Sequence, residues 1–112
     1  MLEITHKQIA PGTEVIHLAG KIMMGPSSEP IVTLVEELLQ QGTRIFIFDF
    51  SAVTSLDSTG IGHFIVSYNR IGAAGGQMRM TGATGHIFDS FHISQLDTVF
   101  PFFEDAEAAA KA

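Results

Sequence analysis

Cysteine and tryptophan are absent from the sequence, tyrosine occurs once, and six lysines and arginines face twelve acidic residues for a formal net charge of −6. The lack of cysteine excludes disulfides, thiolate catalysis and Cys-based zinc or iron–sulfur sites. The shortage of basic residues leaves no stripe of the kind that nucleic-acid binding needs, so direct DNA or RNA contact is not expected. The acidic excess suits a basic protein partner and equally serves solubility. No apolar run approaches the roughly 18–20 residues that span a bilayer. The segment Met1–Pro11 carries Glu3, His6 and Lys7 and lacks the apolar stretch of a signal peptide. Membrane insertion is therefore not expected, and a cytoplasmic location follows by default.

What is present is enough apolar material for a core. Apolar residues make up 46% and charged residues 16% of the chain, which argues against disorder. A length of 112 residues fits one domain over residues 1–112. Glu3–Ile9 and Thr13–Leu18 read as strands joined at the turn dipeptide Pro11-Gly12. A loop from Gly20 through Pro26 follows. Ser27 or Ser28 then suits the N-cap of a helix with Glu29 and Pro30 in its first turn. Ile31, Leu34, Val35, Leu38 and Leu39 form one apolar stripe in that helix, which Gln40, Gln41 and Gly42 end.

The run Arg44–Phe50 lacks polar alternation and reads as a central strand buried on both faces. After a loop at Ser51–Ser55, a second helix is predicted from Ser58 to about Gly72, with the stripe Ile61, Phe64, Ile65, Tyr68 and Ile71. Gln77–Thr81 reads as a strand, and Thr84 suits the cap of a short helix holding Ile87, Phe88 and Phe91. Thr98–Phe100 reads as an edge strand, and Glu104–Lys111 as an alanine-rich helix with a weak docking face. The alternation of strands and helices predicts an α/β domain whose helices cover a sheet with parallel pairs, entered by an N-terminal hairpin.

Most of the chemical information sits between Asp49 and Gly62, in D-F-S-A-V-T-S-L-D-S-T-G-I-G. A buried strand ends in an acid, a loop follows, and D-S-T-G-I-G opens an amphipathic helix. Loops at the carboxyl ends of strands are where open α/β sheets bind partners. The first turn of a helix leaves backbone N–H groups unpaired at the positive end of its dipole. A phosphate on Ser58 would face the amides of Gly60, Ile61 and their neighbours. Gly60 and Gly62 keep side chains away, so that a partner approaches the backbone closely. The phosphate adds roughly −1.5 to −2 charges beside Asp57, with Asp49 as a second neighbouring acid, and so repels a partner that accepts the neutral serine. The same D-S-T-G is also an ordinary helix cap.

The segment resembles the signature of STAS domains, the family of bacterial anti-sigma factor antagonists, whose pattern resembles D-L-S-x-V-x-x-x-D-S-[ST]-G-[LI]-G. The flanking L-L-Q-Q-G-T-R-I-F-I-F-D-F, G-A-A-G-G-Q-M-R-M-T-G and I-F-D-S-F-H-I-S-Q-L are similar to the family as well, so the resemblance spans almost the whole chain. It implies a mixed β-sheet of four to five strands flanked by about four helices. It also implies a non-catalytic binding module that frees a sigma factor by binding an anti-sigma factor. That partner is itself a serine kinase acting on Ser58, and a serine phosphatase reverses it. Asp57, Thr59, Gly60, Gly62 and His63, with Gly20, Lys21, Met23 and Met24, are the candidate partner-binding residues. The family's G-x-[LI]-D pattern after the second strand is replaced here by Gly20-Lys21-Ile22-Met23-Met24, so this loop is altered. The methionines suit either an adaptable binding surface or plain packing. Phe50 stands where the family often has an aliphatic residue.

Two rival readings differ in class: an unphosphorylated STAS assembly subunit of a membrane-transport or signalling complex, and a small serine hydrolase with Ser58 as nucleophile. The hydrolase reading lacks a G-x-S-x-G elbow. Thr59 and Ser55 are alternative phosphate acceptors. His6, His17, His63, His86 and His92 form no metal-binding pair at H-x-x-x-H or H-E-x-x-H spacing, and no G-x-G-x-x-G or G-K-[ST] motif occurs, so no metal or cofactor is expected. Phe88, Phe91, Phe100, Phe102 and Phe103 read as core and edge packing, with Phe102 and Phe103 as an interaction patch if exposed.

Overall fold

The computed structural model describes residues 2–22, 29–93 and 95–112. In chain order these form β1 (Leu2–Ala10), β2 (Thr13–Ile22), α1 (Glu29–Gln40), β3 (Ile45–Leu56), α2 (Ser58–Ala73), β4 (Gln77–Thr81), α3 (Gly85–Ile93), a 3-10 turn (Leu96–Thr98), β5 (Phe102–Phe103) and α4 (Ala106–Lys111). The five strands lie in the spatial order of the sequence. The β1–β2 pair is antiparallel and every other pair is parallel, so the sheet is mixed, as the alternation of elements predicts.

Phe46, Ile47 and Phe48 in β3 are fully buried, the mark of a strand covered on both faces. On one face Phe46, Phe48, Phe50, Ile16 and Leu18 meet Ile31, Val35 and Leu38 of α1, Ile61, Phe64 and Ile71 of α2, and Ile87 and Phe91 of α3. Phe64 packs edge-on against Phe48, and Phe91 against Phe50. On the other face Val15 and Ile47 take Ala109 of α4 between them. That docking face consists of small side chains, Ala109 with Ala106 partly buried beside it, invisible as a hydrophobic stripe. It is fixed by Arg79, buried at 5% exposure, whose Nη1 donates to the Ala109 carbonyl at 2.7 Å while Nη2 donates to Gln77 Oε1. A cation at the last turn of α4 also meets the negative end of its dipole.

Four expectations are corrected. The loop predicted at Ser51–Ser55 is strand: β3 runs on to Leu56, with Ala52, Val53, Ser55 and Leu56 paired to Ala19, Gly20, Lys21 and Ile22. Likewise Gly20 and Lys21 close β2 rather than opening a loop. The Ser27/Ser28 cap and Met23 and Met24 fall outside the described residues. In α2 the buried face is Gly60, Ile61, Phe64, Ser67 and Ile71, while Ile65 and Tyr68 are exposed. Ser67 is buried with its hydroxyl satisfied, donating to the His63 carbonyl at 2.8 Å. Lastly, Thr98–Phe100 is not an edge strand. Gln95 adopts φ 61° ahead of the 3-10 turn, which drives Phe100 into the core. The strand begins only after Pro101, whose carbonyl accepts from Met80 N. Proline has no N–H to give a ladder and so acts as an acceptor at its entry.

Candidate functional site

The site is built where β2 and β3 end. The pairing of β3 with β2 skips a residue between His17/Asp49 and Ala19/Ala52, and another between Gly20/Val53 and Lys21/Ser55. Both extra residues lie on β3. Such bulges bend a strand and re-aim the residues beyond them, and here they bring Asp57 over the last residue of β2. Asp57 N donates to Ile22 O at 3.1 Å. Its side chain then caps α2, with Oδ1 accepting from Gly60 N at 2.9 Å, and its carbonyl accepts from Ile61 N at 3.0 Å. An aspartate in extended conformation at this position is a favoured N-cap.

These bonds change the expected phosphate geometry. The Gly60 and Ile61 amides are already engaged by Asp57, so the amides of Ser58 and Thr59 are the ones that an anion at the helix start would meet. Ser58 and Thr59 are both exposed. Asp49 is not a neighbour of Ser58. It lies mid-strand, paired in register with His17 and Thr81, roughly 20–25 Å back along the extended chain. Partial burial pushes its carboxyl up. Hydrogen bonds from the Ser51 amide and side chain and from His17 outweigh this and hold it below the usual value. The Ser51 amide donates at 2.9 Å, and His17 Nδ1 lies 2.9 Å from Oδ2.

The two motif glycines do different things. A Cβ on Gly60 would stand 2.6 Å from Ile22 O, 2.7 Å from Ile22 Cγ2 and 3.0 Å from Leu56 Cδ1. Gly60 is therefore bare to let α2 press onto the end of β2, and it is buried. A Cβ on Gly62 would meet nothing within 4 Å, consistent with an open surface there. His63 is half-buried and lines a shallow groove of about 280 Å³ with Val32, Thr33 and Val66, between α1 and α2. Arg70 and Glu36 bridge the same two helices at 2.6 Å. Gly20 and Lys21 stand beside this ensemble through their pairing with Val53 and Ser55.

Ile22 and Leu56 escape a reading of the sequence, although they seat the helix start. The available signal is the slip in β3's apolar period, from Phe46, Phe48 and Phe50 to Val53, which marks an inserted residue rather than a strand end. Among the described residues no cluster of potential metal ligands is found. No described helix is long and apolar enough to cross a membrane.

Sheet and site together define a small α/β domain that presents a capped, serine-bearing helix start at the carboxyl end of its parallel strands. Residues 5–109 match the STAS domain family model, and the chain belongs to that family. Among curated proteins no sequence matches. An anti-sigma factor antagonist from Mycobacterium paratuberculosis is similar in structure, with a TM-score of 0.82 at 18% identity over 99% of this chain and 92% of that one. The Bacillus cell fate determinant SpoIIAA in its phosphorylated form gives a TM-score of 0.76 at 19% identity, over 97% and 98%. A sulfate transporter family protein from Wolinella succinogenes gives 0.68 at 15% identity, over 94% and 88%. At these identities the likeness establishes the fold.

Proposed function

We propose that this domain is an anti-sigma factor antagonist switched at Ser58. In the unmodified form the surface around Asp57, Ser58, Thr59 and Gly62, with Gly20 and Lys21 alongside, binds an anti-sigma factor that is also a serine kinase, and a sigma factor is freed. Transfer of the ATP γ-phosphate to the Ser58 hydroxyl releases ADP and leaves a dianionic ester. Close to Asp57, that charge repels the partner without requiring the domain to refold. A serine phosphatase resets the switch by hydrolysis. The observation that carries this reading is the exposed Ser58 in the first turn of α2, next to a capping aspartate whose backbone and side chain are already committed.

The test is mass spectrometry of wild type and Ser58→Ala after incubation with ATP and host lysate, followed by binding assays on both forms. One phosphate mapped to Ser58, absent from the variant and weakening partner binding at least tenfold, is the expected result. A fold shared with a sulfate transporter family protein favours the assembly-subunit reading second. No phosphate under any condition, together with co-purification of a transport component, would replace the first reading with it.

A further inference from the structure

The two edges of the sheet are unlike. β5 is a two-residue strand that leads into α4, and so short an edge offers little to pair with. β1 is nine residues long, holds no proline, and is paired on one side only. Its register with β2 stays regular from Leu2 to Gln8 and breaks between Gln8 and Ala10. The free edge is therefore a straight segment ending at a bulge at Ile9.

That segment is self-complementary. Glu3, Thr5 and Lys7 stand on one face of the sheet, opposite Ala19, His17 and Val15 of β2, and all three are exposed. No ion pair involves Glu3 or Lys7 among the described residues. A second copy laid antiparallel about a two-fold axis at Thr5 brings Thr5 against Thr5, and Glu3 of each copy against Lys7 of the other. On the opposite face Ile4 meets His6. Moving the axis to Ile4 sets Glu3 against Thr5, and moving it to His6 sets Lys7 against Thr5. Both neighbouring registers thus lose both ion pairs. Opposite charges and threonine pairs directly across strands are the favourable combinations in antiparallel ladders, and a patch that complements itself under a two-fold is what an isologous dimer requires.

We infer that β1 is a homodimerisation edge, joining two copies into one continuous ten-stranded sheet centred on Thr5. Because β1 and β2 are antiparallel and the two β1 strands are antiparallel to each other, the two Ser58 sites fall at opposite ends of this sheet and both stay open. The inference does not depend on Ser58 being modified.

Sedimentation velocity of the full chain over a concentration series tests the association, and charge exchange tests its register. Wild type is expected to dimerise reversibly, Glu3→Lys to weaken the dimer at least tenfold, and the double variant Glu3→Lys/Lys7→Glu to restore it. Since the chain has no cysteine, Thr5→Cys under mild oxidation should give a covalent dimer through a single disulfide on the axis. Adding Glu3→Lys to Thr5→Cys should suppress it. A wild type that stays monomeric, with no cross-link above the Glu3→Lys background, would overturn the inference. So would a dimer that Glu3→Lys leaves as tight as wild type, which would place the contact elsewhere.

Discussion

Replacing Gly60 and Gly62 by alanine in turn asks whether the helix start is seated on β2 as described. Both lie in the first turns of α2, and glycine-to-alanine in a helix interior gains about 0.8–1 kcal/mol from propensity alone. At Gly62 the added methyl has open space, so Gly62→Ala should be more stable than wild type by up to about that amount. At Gly60 the methyl would stand 2.6 Å from a backbone oxygen and 2.7 Å from a methyl of Ile22. The backbone partner cannot rotate away, so either α2 lifts or the end of β2 shifts. Overpacking of this kind costs about 1–3 kcal/mol, and displacing the Asp57 amide from Ile22 O forfeits about 1 kcal/mol more. Set against the propensity gain, Gly60→Ala should lose about 1–3 kcal/mol, or roughly 4–20 °C in melting temperature for a domain of this size. Thermal and urea denaturation followed by circular dichroism read both variants. A Gly60→Ala protein as stable as Gly62→Ala would refute the close approach of α2 to Ile22.

Two further outcomes concern Asp49 and Arg79. The Asp49 carboxyl is held below its usual value in the fold. Its hydrogen bonds therefore stabilise fully above the unfolded carboxylate pKa near 4, and that stability is lost as pH falls through the lower folded value. Asp49→Asn should flatten the acid limb of a stability-versus-pH curve while leaving its neutral limb parallel to wild type, and an unchanged acid limb would contradict the assignment. Arg79→Met should release α4 from Ala109 and Gln77, costing about 1.5–3 kcal/mol for charge-assisted bonds. Hydrogen exchange should show faster opening at Ala108 and Ala109, with α2 unaffected. Equal protection in variant and wild type would mean that Arg79 does not hold the helix.

The parts of this fold that a sequence reveals are those where one residue type repeats at one period. The stripe of α1 and the apolar run of β3 locate their elements to within a residue or two at their starts, and β4 runs from Gln77 to Thr81 as its pattern predicts. Where the period changes, the reading fails for a physical reason. Bulges in β3 shift its inward positions, so a strand edged with serine and threonine resembles a loop. Helix α2 buries Gly60 and Ser67, residues no hydrophobic pattern contains, while Ile65 and Tyr68 stay partly exposed. The tail docks through two alanines and a buried arginine, which composition alone renders as a featureless helix. At the candidate site the identity of the cap and of the serine is legible, because Asp-Ser at a helix start has a local chemistry. Why Gly60 has no side chain depends on Ile22, the end of a strand far earlier in the chain.

The bonds of Asp57 also bear on how the proposed kinase would recognise Ser58. The hydroxyl rides on a backbone pinned at Ile22 O, Gly60 N and Ile61 N, so an enzyme that acts there meets a finished helix end rather than a slack strand it can draw into a cleft. Its specificity must then be written in three dimensions, against β2, β3 and α2 together. A synthetic peptide copying residues 52–64 has the right letters and none of that scaffold, since a helix so short is marginal in water. Such a peptide would serve as a poor substrate and a poor competitor beside the folded domain.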